Sequence, residues 1–142
     1  MSGFLIALIS GALMSIQGVF NTQVTKNTSL WVSSSFCQLT ALIVCLGTWY
    51  VTDQTSFQTL FQVPRKITLL GGVIGALITI TVIKSMNSLG PAKATMLIII
   101  AQLTISWGIE LLGMFGVEKQ AFSMRKLLGL LIAVAGVITF EL

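Results

Sequence analysis

Glu110 is a carboxylate in a stretch built to avoid water. Residues 101–113 read AQLTISWGIELLG, with the indole of Trp107 one turn before the acid and, apart from Gln102, Thr104 and Ser106, only apolar neighbours. A carboxyl carried in such a run can take up and release a proton, and beside an indole face it can hold a cation by charge and by cation–π attraction. Amides form a second set of candidates. Gln17 and Asn21 are four apart and share a helical face with Ser10 and Met14, while Gln38 falls on a stripe with Trp31, Ser35, Cys45 and Trp49. Gln102 and Ser106 lie on the stripe that runs from Thr95 to Glu110. Hydroxyls on such faces are expected to bond between helices, whereas glutamines are costly in an apolar setting and point to a polar path.

The elements that must position these residues follow from composition. Of 142 residues 55% are hydrophobic and 8% charged, which excludes an ordinary soluble domain. Five apolar stretches predict transmembrane helices at about 3–22, 30–51, 67–86, 94–115 and 122–142. Four of them can cross a hydrocarbon core of ~30 Å at ~1.5 Å of rise per residue. The uncharged start of the fifth is Leu127, so that helix must begin earlier, near Phe122, or sit where the bilayer thins. The apolar runs are continuous rather than alternating, which selects helices over a barrel. The expected fold is therefore an all-α integral membrane protein, a single five-helix domain over residues 1–142.

The links 25–29, 52–66, 87–93 and 116–126 hold nearly all the charge and both prolines. The first helix has no basic n-region and carries polar residues, so it reads as a retained span rather than a signal peptide. Cys37 and Cys45 are eight apart within one predicted helix, too far to bridge, and the chain has no histidine. Reduced cysteines, no metal site and no cofactor are expected. The net charge of +4 is scattered through links that flank the membrane, so it reports topology rather than nucleic-acid binding.

With the N-terminus inside, the inner links carry Arg65, Lys66, Lys119, Arg125 and Lys126, and the outer side Lys26, Lys84 and Lys93. That bias favours N-inside, C-outside only weakly and allows insertion in both orientations. Five helices enclose little volume, and carriers are often built from two inverted halves. An antiparallel homodimer of ten helices would supply them.

Depth orders the polar residues. Gln17, Gln38, Gln102 and Thr79 come to about 21, 20, 21 and 18 Å above the inner boundary, one level a little outside the midplane. Glu110 comes to about 9 Å, and its copy in an inverted partner to about 24 Å, between Gln17 and Asn21 at about 27 Å. Trp107 falls near mid-depth rather than in an interfacial belt. Lys84, the other charged residue within the first four predicted spans, is close enough to the outer end to snorkel. No basic residue is expected to oppose Glu110, which favours a small cation or neutral polar metabolite over a multiply charged anion.

Three stretches, GALMSIQGVFNTQVTKNTS, AQLTISWGIELLGMFGVEKQ and SMRKLLGLLIAVAGVITF, carry a resemblance that covers essentially the whole chain. The sequence resembles the DUF606, or YdcZ-like, family of the drug/metabolite transporter superfamily, most specifically at Gln17, Asn21, Gln102, Glu110, Gly113 and Gly116. It departs from the family where Ser15 replaces a frequent proline and where Glu110 replaces a frequent Asp. The resemblance implies a bacterial plasma-membrane transporter working as a dimer of oppositely oriented halves. By similarity to small relatives in the superfamily, the last helix would join the protomers. The small residues Gly71 and Gly75 in the third helix, and Gly129, Ala133 and Gly136 in the fifth, allow close helix contact wherever it falls.

A secondary transporter, coupled to protons through Glu110 and binding substrate with Gln17, Asn21, Gln38, Gln102 and Trp107, accounts for all these features together. An accessory or scaffold membrane subunit would also be small and helical but has no need of an aligned amide layer. An enzyme is not expected, as no histidine, no intramembrane acid pair and no base beside a nucleophile is present.

Overall fold

The computed structural model describes residues 2–141, the side chain of Glu141 excepted. Met1 and Leu142, the ends of the expected domain, lie outside the described residues. All secondary structure among those residues is helical: α1 (Gly3–Asn27), α2 (Leu30–Thr52), α3 (Gly71–Leu89), α4 (Pro91–Leu112) and α5 (Met124–Glu141). Short 3-10 turns fill Phe57–Gln62, Lys66–Leu70 and Met114–Gly116. The chain divides into two compact units, Met1–Ser88 and Leu89–Leu142.

α1 runs five residues past the expected end because its polar tail bonds to its own backbone. Thr22 Oγ1 donates to the Gly18 carbonyl and Thr25 Oγ1 to that of Asn21, each at 2.8 Å. Lys26 in the last turn complements the helix dipole. Only residues 28–29 then remain as a link, and Ser29 caps α2 by accepting from the Val32 N–H at 3.2 Å. α4 is shifted the other way. Pro91 takes the first helical position, with Gly90 before it at φ 82°, so the helix both starts and ends three residues earlier than expected.

Four helical segments are long and apolar enough to cross a membrane: α1, α2, Lys66–Leu89 and α4. α5 has the length but opens on Arg125 and Lys126, leaving an uncharged run of 127–140, about 21 Å of helix. Large apolar side chains point outward, with Phe4, Val44, Val51 and Ile132 all more than 60% exposed. Ile83, Met86 and Ala94 are the buried apolar residues among those described. Such a surface is stable only where lipid or another apolar surface covers it.

Within the first unit α1 packs on α2, and it approaches α3 at Gly18, where a Cβ would lie 2.6 Å from the Met86 thioether. Within the second, α4 and α5 form a hairpin. Gly113 ends α4 in the left-handed conformation at φ 65°, and the chain folds back so that the Gln120 N–H reaches the Glu110 carbonyl at 2.8 Å. Lys119 passes so close to Gly113 that a Cβ there would sit 3.0 Å from its own Cβ.

Most hydroxyls bond within their own helix rather than between helices: Thr40, Thr79, Thr104 and Thr139 each donate to a carbonyl one turn back, although Thr79 also accepts across from α2. Without water, that carbonyl is the nearest acceptor always within reach. Ser33 is an exception: it is buried, and its Oγ donates across from α2 to the Asn21 carbonyl of α1 at 2.8 Å.

Candidate functional site

In the first unit the amides of α1 converge on one sulfur. Gln17 Nε2 and Asn21 Nδ2 donate to Cys37 Sγ of α2 at 3.4 and 3.3 Å. Sulfur is a weak acceptor, so these amides are held in place while keeping most of their hydrogen-bonding capacity. They border a groove of about 720 Å³ between α1 and α2, walled by Phe20, Phe36 and Cys45. On the side toward α3, Gln17, Asn21 and Thr79 line a small cavity of about 50 Å³. Gln38 Nε2 donates to Thr79 Oγ1 at 3.1 Å, and the Thr79 hydroxyl in turn donates a hydrogen bond to the Gly75 carbonyl. The structure thus brings Gln17, Asn21, Gln38 and Thr79 together in one unit. Gln102 stands on α4 in the other unit, exposed and without a hydrogen bond among the described residues.

In the second unit the carboxylate has a partner. Lys126 Nζ donates to Glu110 Oε2 at 2.6 Å, an ion pair with side chains 47% and 40% exposed. The expectation that no basic group opposes Glu110 is therefore overturned, and the inference of a cationic substrate loses that premise. The sequence places Lys126 both in the link 116–126 and near the start of a fifth helix at about 122–142, and neither placement turns it toward Glu110. The available signal was symmetry, since Glu110 lies two residues before the end of α4 and Lys126 two residues after the start of α5. Two helices joined as a hairpin bring such positions face to face.

The pair has the wrong polarity for helix capping. Glu110 sits in the last turn of α4, beside carbonyl oxygens, and Lys126 in the first turn of α5, beside free N–H groups. Each charge alone opposes its helix dipole by ~0.3–1 kcal/mol, so the ion pair offsets two unfavourable placements. A hairpin selected for stability alone would carry the two charges exchanged. The helix-end position also sets Glu110 only about 3 Å inside the end of α4, shallower within the helix than the expected 9 Å, although the apolar sequence continues through Val117.

Ser106, Trp107, Glu110, Lys126 and Gly129 line a groove of about 420 Å³ between α4 and α5. Trp107 packs on Phe122 with ring centroids 5.7 Å apart, and its Nε1–H is buried without an acceptor. The other buried side-chain group in that condition, among the described residues, is the Ser34 hydroxyl on α2. Trp107 and Glu110 thus share one site, as their spacing of three predicts for a helix face.

The family to which this architecture belongs follows from its sequence. Residues 2–139 match the family described as "Putative inner membrane exporter, YdcZ", and the chain belongs to that family. No curated protein matches it, and no solved structure does. It is a multi-pass membrane protein of an exporter family, an assignment to transport rather than to an enzyme class.

Proposed function

We propose that this chain is a small secondary transporter of the inner membrane, moving a small polar metabolite by alternating access between two oppositely inserted copies. The observation that carries the reading is the Glu110–Lys126 pair, a charged pair on a membrane hairpin whose polarity defies both helix dipoles and which borders an open groove. An arrangement that lowers helix stability at this point is what a site for exchangeable protons or ligands requires. Glu110 serves as the coupling group, released from Lys126 when a proton or substrate takes its place. Gln17, Asn21 and Gln38 line the neutral part of the path, with Gln102 and Trp107 contributed by α4.

α5 acts as the fifth span, its short uncharged run accommodated by snorkelling of Arg125 and Lys126 and by local thinning. Its small-residue face is open in the single chain at Gly136, where a Cβ would meet no atom within 4 Å. That openness supports a place for α5 in the dimer contact. The early end of α4 moves the partner's Glu110 outward in an antiparallel pair, toward Asn21 more than Gln17. The N-inside orientation is favoured only weakly, and the dimer uses both.

Cysteine pairs at positions 17 or 21 and 110, in a background lacking Cys37 and Cys45, should cross-link between subunits with a short reagent. Efficient 110-to-110 product with no 17-to-110 or 21-to-110 product would contradict the antiparallel pairing. Uptake by the purified protein in proteoliposomes tests transport itself, and flux that requires an added partner protein would return the chain to the scaffold class.

A further inference from the structure

We infer that the α4–α5 groove is a site for a zwitterion, a molecule bearing one ammonium and one carboxylate, whose place is held by the protein's own ion pair until it binds. The inference rests on the transport reading and names its substrate class. Three observations carry it. The groove presents opposite charges side by side, Glu110 and Lys126, each with close to half of its side chain accessible. It also contains Trp107, whose buried Nε1–H lacks an acceptor, and an indole N–H can only donate. Finally, its floor is bare at Gly129, and its volume of about 420 Å³ lies within the ~300–1,000 Å³ of small-molecule sites.

Charge balance selects among ligands. A cation that took Glu110 would strand the Lys126 ammonium, and an anion that took Lys126 would strand the carboxylate, each a costly outcome in a partly dehydrated groove. A zwitterion satisfies both. Its ammonium replaces Lys126 on Glu110, while its carboxylate accepts from Lys126 and, after a turn of the indole that brings the buried Nε1–H to the groove, from Trp107. Ser106, which makes no hydrogen bond of its own among the described residues, is a further polar contact in the same groove. Exchange of one neutral pair for another leaves the net charge of the groove unchanged, so the ligand enters without a separate counterion.

The test uses the full chain in detergent with Trp31 and Trp49 replaced by Phe, so that Trp107 is the sole indole. Its fluorescence is titrated with α-amino acids and γ-aminobutyrate, and with the amines and acids that lack one of the two charges. At least one zwitterion should shift the emission, with its amine and acid analogues weaker by roughly tenfold or more, the loss of one charge-assisted hydrogen bond. Lys126→Met should admit the amine, Glu110→Gln the acid, and Gly129→Leu should exclude all three while leaving the fold intact by circular dichroism. Binding of amines or acids as tightly as zwitterions to the unaltered site, or no response to any zwitterion, overturns the proposal. Proteoliposome flux separates the two readings: transport of a cation without zwitterion binding leaves the transporter standing, and zwitterion binding without flux of that zwitterion leaves only the binding site.

Discussion

In the first unit polar side chains meet as neutral partners, amide to thiol and amide to hydroxyl, across helices that approach as closely as Gly18 and Met86 allow. In the second a full ionic pair sits at the end of a hairpin, against both helix dipoles, beside a groove with a bare glycine. Neutral contacts of this kind contribute ~0.6–2 kcal/mol each in a membrane and require no water, so they suit a scaffold that also lines a path. An ion pair so placed is easily exchanged. In the transport reading proposed above, coupling falls to the α4–α5 hairpin and shape to the α1–α3 unit.

The sharpest break of that comparison is an exchange of charges. The double variant Glu110→Lys, Lys126→Glu keeps the pair but aligns both charges with the dipoles. It should raise the stability of the hairpin by roughly 1–4 kcal/mol, since each charge passes from opposing its helix dipole to complementing it, while abolishing transport in proteoliposomes. Retained transport would mean that the pair is only structural. In the other unit, Gly18→Leu should destabilise by ~1–3 kcal/mol, measured by thermal unfolding in detergent, because α1 and α3 must separate to admit the side chain. Gly18→Ala should cost much less, since the atoms a Cβ meets first are the flexible tip of Met86. The smallest effect is expected for the hydrogen bond between α2 and α3. Gln38→Leu and Thr79→Val should each cost ~1 kcal/mol, and the double variant no more than the larger single one, because they share one bond. Independent, additive losses would show that the two side chains do not act together.

Most of the helical architecture was legible in the sequence because apolar runs of membrane length leave few alternatives. Ends were less legible. Polar residues after Asn21 suggested an exit from the helix, but threonines that bond back one turn let α1 continue to Asn27. The start of α4 was written in Pro91, whose fixed φ and missing N–H suit a first turn, and was read three residues late. Of the candidate site, the common level of Gln38 and Thr79 was readable by counting rise along the helices, and their hydrogen bond agrees with it. The partner of Glu110 was not readable that way. Rise per residue gives depth along one helix but not the fold of the turn between two, and the turn through Gly113 is what returns Lys126 to the acid. Cys37 reads in the sequence only as a reduced cysteine, for a related reason: a thiol carries no polarity signal in composition, yet two amides need an acceptor and it is the one they reach.

The central claim is that Glu110 couples transport to protons through its exchange with Lys126. The direct measurement is flux of a bound zwitterion in proteoliposomes, driven by a pH gradient and, separately, by substrate exchange at equal pH, for the wild type and for Glu110→Gln. The account predicts that the variant loses gradient-driven flux and its pH dependence, and that exchange at equal pH is weakened as well because the ammonium has lost its carboxylate. Wild-type pH dependence and gradient-driven flux in Glu110→Gln would contradict it.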